Sequence, residues 1–243
     1  MKISEKHLRS LIRNMYLNES TVYSAVDSGP SKITSTGVGG SIGSFEGVEF
    51  ESVPSSSSAK IAMGELSFWK DGKRKESQND EETNDKLKKY WQDANYAFSG
   101  NPWSAPWSAA FISHVMKKAG EASSFSSAAH TTWATRALKN RNKILANPEE
   151  FIGKTLYVLF MKDEVKPEVG DIPFKLRGGG DINAWIAKGG GSTKSHSDIY
   201  VGGDKVIGGN LSDSVKKSNY DHPTIIKKIK ITGVSEKEDQ SKA

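Results

Sequence analysis

The chain has 243 residues, 26% of them charged and 9% aromatic, an ordinary soluble composition with length for one or two domains and a substantial core. It has no cysteine, which excludes disulfides, thiolate metal sites and a cysteine nucleophile. A net charge of +5 and an isoelectric point near 9.1 suit an anionic partner, but no basic run is interleaved with aromatics as a nucleic-acid groove requires, so nucleic acid is not the expected partner.

In chain order, residues 1–19 predict an amphipathic basic helix. Leu8, Leu11, Ile12 and Met15 recur at i, i+3, i+4 and i+7, while Lys2, Lys6, Arg9 and Arg13 occupy other faces. The segment lacks the apolar stretch of a secretory signal, so the expectation is synthesis in the cytoplasm, with any export by another route. Residues 20–58 shift to glycine and serine and read as a linker or extended arm. Their glycines are not followed by Gly-Lys-Ser/Thr, so no phosphate loop is expected.

A folded domain is expected over 59–234. Ala62, Leu66 and Trp69 share one helical face, and Leu87, Tyr90, Trp91 and Ala94 another. A third helix is predicted from about Trp107 to Ala119, stopped by Gly120, and a fourth around Trp133, Ala137 and Leu138. After Asn147-Pro148 the pattern turns to strands: 155–161, a segment entered through Val169-Gly170-Asp171-Ile172, then 196–201, 205–207, 214–215 and 225–231. Helices first and strands afterwards predict an α+β domain. Residues 235–243 form a polar tail expected to lie outside the fold. No apolar run approaches the ~18 residues of a membrane span.

Three positions bear on chemistry. Pro106 marks a helix start, which places Ser108 in the first turn, where free N–H groups and the helix dipole favour negative charge. His196 opens an alternating strand and is suited to proton transfer near neutral pH. Asn210 follows Gly208-Gly209 at the end of an apolar strand, where an amide can hold an imidazole. Taken singly, Ser108 reads as a cap, His196 as a structural histidine and Asn210 as a turn residue. His114 follows Ser108 by six residues, about 600° of helix, and is therefore expected well away from that face. His222 precedes Pro223 in a predicted turn. No histidine pair has the spacing of a zinc helix, so neither a metal nor another cofactor is expected.

Four motifs stand in order: Pro106-Trp107-Ser108-Ala109-Ala110-Phe111-Ile112-Ser113, Val169-Gly170-Asp171-Ile172, His196-Ser197-Asp198-Ile199-Tyr200-Val201-Gly202, and Val206-Ile207-Gly208-Gly209-Asn210. The succession resembles the NlpC-type and CHAP-type cell-wall peptidases. It resembles more closely the uncharacterised domain family 2272, over roughly 59–215. The resemblance implies a papain-like α+β fold. In the peptidases a cysteine opens the helix, a histidine opens the strand and a polar residue orients that histidine; by position these fall on Ser108, His196 and Asn210. Ala129-His130-Thr131 resembles a recurrent motif of the uncharacterised family, which makes His130 a cleft residue or a buried structural one. Asp198 lies two residues after His196, on the same face of the strand, as a second orienting or substrate group. Trp103 and Trp107 are candidates for a cleft wall.

The serine is a departure. A thiol ionises beside histidine, whereas a hydroxyl must lose its proton during attack. Two functions follow. One is a peptidoglycan-directed amidase or peptidase of Ser-His-Asn type, its partner peptidoglycan or another anionic wall polymer. The other is a papain-like binding or structural module without catalysis. Leu17-Asn18-Glu19 resembles the end of the packaging peptides that large tailed phages remove after a hydrophobic-x-Glu motif. That resemblance implies a virion-associated protein, cleaved after Glu19 and joined to other virion proteins through its arm.

Overall fold

Strand-forming residues concentrate late in the sequence, and the longest strand organises the fold. The computed structural model describes residues 42–45 and 47–235; the helix expected at 1–19, most of the arm and the end of the tail lie outside them. Strand β9 (Thr224–Val234) pairs along one edge with β3 (Thr155–Met161), from Thr155↔Lys230 to Met161↔Thr224. Its other edge is shared. Its first residues pair with β4 (Ile172–Leu176) and its last with β2 (Val48–Ser52), which carries β1 (Ile42–Phe45) outside it. β4 in turn pairs with β5 (Ser195–Ser197), and every pairing is antiparallel.

The chain leaves this sheet at Asp198, whose N–H donates to the Pro173 carbonyl at 3.1 Å. It then enters a three-stranded sheet of β6 (Ile199–Gly202), β7 (Lys205–Gly208) and β8 (Lys216–Asn219). The single strand expected over 196–201 is therefore two, with the break at Asp198. The strand expected at 214–215 lies just beyond, over Lys216–Asn219.

Six α-helices stand among the described residues: α1 (Ser56–Phe68), α2 (Glu81–Asp93), α3 (Ser108–Lys118), α4 (Ala122–Phe125), α5 (His130–Ala146) and α6 (Ile182–Ala187). Asp80 caps α2 by accepting from the Thr83 N–H at 2.8 Å. Gly120, at φ 86°, stops α3, and the Glu121 N–H turns back to the Met116 carbonyl at 2.8 Å. The fold is α+β, as the order of elements predicts. α4 and α6 were not foreseen; each is too short to carry a helical period.

Neighbouring residues of a strand face opposite ways, so the sheet separates two cores. Ile226 and Leu159 pack with Trp69, Trp107 and Phe111 under the helices, while Ile225 and Phe160 pack with Phe45 and Phe50 on the other face. That second core corrects the expected linker. Val48, Phe50 and Ser52 are buried and Glu49 and Glu51 exposed, the alternation of a half-buried strand, so residues 48–52 belong to the sheet rather than to an arm ending at 58.

Candidate active site

Helix α3 begins without a side-chain cap. Phe111 N–H reaches the Trp107 carbonyl at 2.9 Å, so the earlier N–H groups, Ser108 to Ala110, lie outside the helical ladder. Ser108 sits there, buried, and its Oγ is 2.8 Å from Nε2 of His130. His130 is the first residue of α5, so two helix N-termini meet at this contact. The link between them runs through Ser113. Its hydroxyl lies 2.5 Å from the Phe125 carbonyl and 2.7 Å from the Ser127 carbonyl, which share its one proton, and it accepts from the Ser127 N–H at 3.2 Å, fastening the segment before α5 to α3.

The His130 ring packs edge-on against Trp133 at 5.4 Å and His196 at 5.3 Å. His196 is engaged at both nitrogens. Arg177 donates to its Nδ1 at 2.8 Å, and its Nε2 lies 2.9 Å from Asp198 Oδ1, within ion-pair range though off the line a hydrogen bond prefers. A guanidinium only donates, so Nδ1 is the acceptor and the ring proton sits on Nε2, facing the carboxylate. The other Asp198 oxygen lies 2.9 Å from Nε2 of His222, which is fully buried at the entry to β9.

Electrostatics set the protonation states. Burial pushes His130 well below the ordinary histidine value, and the Arg177 guanidinium pushes it further, so it is neutral around pH 7. Burial also lowers His196, against the opposing pull of Asp198. Burial alone would raise the Asp198 carboxyl, but the contacts with the His196 and His222 rings outweigh it and hold it well below the usual range.

Ser108 and His130 border a cavity of about 690 Å³, with Arg177, Asn210, Trp91 and Tyr96 also in its wall. The structure thus brings Ser108, His130, His196 and Asp198 together, but in an order that differs from the expected one. His130 takes the place on Ser108 Oγ expected for His196, and Asp198 and Arg177 hold His196 in place of Asn210. Asn210, at φ 56°, borders the cavity instead.

The two tryptophans lie elsewhere. Trp107 is fully buried, stacked on Trp69 at 5.0 Å with its indole N–H on Glu76, and Trp103 donates to Asn79 Oδ1 at 3.2 Å. Neither borders the cavity: the Trp107 ring is packed in the core, and the Trp103 indole is turned to Asn79. Trp91 and Tyr96 supply the aromatic wall. Arg177 and His222 were not among the expected site residues. The only signal for Arg177 is its register: Lys175 pairs with His196, which leaves Arg177 diagonal to that histidine on one face.

Gly208 and Gly209 are fixed by close approach. A Cβ on Gly208 would stand 1.8 Å from Asp198 Oδ1, and one on Gly209 would stand 2.5 Å from the Phe111 Cβ. The glycine pair therefore lets β7 end directly against the carboxylate and against α3.

Residues 64–224 match the family model described as "Uncharacterized protein conserved in bacteria (DUF2272)". The chain belongs to this family. The match spans α2 to α6 and strands β3 to β8, leaving β1, β2 and nearly all of β9 outside, and Ser108, His130, Arg177, His196, Asp198 and His222 all fall inside the DUF2272 region. No curated protein and no solved structure matches the chain.

Proposed function

We propose that this DUF2272 protein is an amide-bond hydrolase directed at peptidoglycan, with Ser108 as nucleophile and His130 as base. The observation that carries the reading is the 2.8 Å contact of Ser108 Oγ with a neutral, buried imidazole at an uncapped helix start, opening on a cavity. As Oγ attacks the carbonyl carbon, His130 Nε2 takes its proton. The oxyanion forms beside the N–H groups that start α3. His130 then passes the proton to the leaving nitrogen, and water releases the acyl group from Ser108 by the same steps in reverse order. His196, held between Arg177 and Asp198, fixes the ring that packs on His130.

The wall as substrate rests on the motif resemblance to papain-like cell-wall peptidases and on the net charge of +5, which suits an anionic polymer. Carriage by a virion rests on the N-terminal resemblance. Mass spectrometry of purified particles checks it, and a mature chain still beginning at Met1 would remove the processing step.

One observation favours a binding module instead. His130 Nδ1 is buried and has no hydrogen-bond partner among the described residues, so no carboxylate stands behind the base as in a full triad. Mass spectrometry of peptidoglycan fragments after incubation with the native chain, Ser108→Ala and Ser108→Cys separates the two. Hydrolysis gives new products with the native chain and none with Ser108→Ala. Silence from all three folded proteins, with retention on insoluble peptidoglycan, establishes the module. Products from Ser108→Cys alone mark a cleft that has lost its nucleophile.

A further inference from the structure

Among the described residues, the charged side chains that border the cavity are all basic. Arg177 and Lys194 border it, and no aspartate or glutamate does among the described residues. The rest of its polar wall is neutral: hydroxyls and amides, with Ser126, Thr193 and Asn210 as examples, and the uncharged His130 imidazole. Arg177 is an exposed residue, yet its guanidinium reaches buried His196 Nδ1 at 2.8 Å, and its backbone N–H donates to the Lys194 carbonyl at 2.8 Å. The fork is therefore held in place at the cavity by the same histidine that packs on His130. A planar guanidinium in fixed orientation matches a carboxylate, which takes two parallel N–H bonds. The helix start at Ser108 adds positive potential to the same space.

We infer that Arg177, assisted by Lys194, forms a carboxylate subsite, so that the substrate is a peptide bearing a free carboxylate close to the amide that meets Ser108. The inference rests on the hydrolase reading for the word substrate, but the subsite itself is testable by binding alone. A carboxylate seated there places its own negative charge near the His196–His130 pair, which favours the protonated imidazole that forms as Ser108 attacks. Recognition and proton transfer then share one arginine.

The test uses the full chain carrying Ser108→Ala and a mixture of disaccharide-peptides from peptidoglycan, one portion with its carboxylates converted to primary amides. Affinities are measured calorimetrically at one ionic strength. The acid form is expected to bind at least about tenfold more tightly. Arg177→Gln should abolish that preference, Arg177→Lys should keep part of it, and Lys194→Gln should reduce it. Lys139→Gln, which removes the same charge from an exposed site away from the cavity, should leave it intact. The ratio of the two affinities is the readout, so a general loosening of the site by Arg177→Gln does not imitate the result.

Equal binding of the two forms, no binding of either, or an equal loss with Lys139→Gln would overturn the subsite. If the native chain cleaves nothing while the acid preference depends on Arg177, the subsite stands and the hydrolase reading falls. If it cleaves both forms equally, hydrolysis stands and the subsite falls.

Discussion

At the scale of single residues, the protonation of His130 decides what the site can do. A base must be neutral to accept the Ser108 proton. Burial, reinforced by the Arg177 guanidinium, holds His130 well below its ordinary value of 6.5. Activity is therefore expected to stay level through neutral pH and to fall only as pH drops through that lowered value. A pH–rate profile checks it, and an acid limb at or above 6.5 would assign the base elsewhere. Arg177→Gln removes one of the depressing charges, so it should move the limb upward even where the rate itself falls.

Ser108 was legible because a proline and an apolar period mark the start of its helix. The role of His130 was not. It follows Ser108 by 22 residues, and their contact depends on the Ser113 bonds that fold back the segment between them. No period in the sequence reports a loop of that kind. His222 was hidden differently: the proline after it reads as a turn, and its burial against Asp198 depends on where β9 enters the sheet.

At the scale of elements, two joints fix the geometry of the site. The first is β7 on α3. An alanine at 209 must displace Phe111 from a fully packed position, so Gly209→Ala is expected to cost about 1–3 kcal/mol, as overpacked cores do. Denaturant unfolding measures it, and a neutral result would mean that the strand end is free to shift.

The second joint ties α1, α2 and α3. His114 of α3 sits between Asp93 of α2 at 2.7 Å and Glu65 of α1 at 3.1 Å, and the Tyr90 hydroxyl donates to Glu65 at 2.6 Å. This is where the reading of His114 as lying off the Ser108 face leads: its face holds the helices together. Burial works to raise the Glu65 carboxyl, but His114, Tyr90 and Lys86 bring it down from 4.5 to about 2. A lowered folded value means stability that is present above 4.5 and lost as pH falls toward 2. Removing the histidine takes one partner from each carboxylate, leaving Glu65 with Tyr90, Lys86 and Lys118 and Asp93 with Lys89 and Lys117. His114→Ala should therefore destabilise by about 1.5–3 kcal/mol, the range for hydrogen bonds to charged groups. The loss should shrink in acid, as the carboxylates take up protons. A constant loss across pH would assign His114 to packing alone.

At the scale of the whole molecule, β9 is the spine. Three strands pair with it, and Asp171 before β4 is tied to it by Lys227, whose buried ammonium lies 2.9 Å from that carboxylate and 2.8 Å from Glu168. The order of helices and strands revealed the α+β class, and 155–161 stood out as a strand because its apolar run is unbroken. The strands at 42–52 were concealed by the glycines and serines around them, although Val48-Glu49-Phe50-Glu51 alternates as a half-buried strand does. Composition averaged over forty residues outweighed a period of two read over five.

The two views of that segment predict different energetics in the full chain. In a loose arm, neither Phe50 nor Glu51 contributes to stability. In the sheet, Phe50 is 1% exposed, its ring 5.9 Å from Phe45 and 5.5 Å from Phe160, while Glu51 points to solvent. Phe50→Ala should then cost about 3–5 kcal/mol by opening a cavity in the second core, and Glu51→Ala, a surface change, should stay within about 0.5 kcal/mol. Against a total stability of about 5–15 kcal/mol, the first loss is large enough to lower the midpoint of thermal unfolding by many degrees. Equal midpoints for the two variants would place the start of the cooperative unit after residue 52. Unequal ones would place β2 and the second core in one cooperative unit with the sheet in which β5 carries His196 and the bend after β4 carries Arg177.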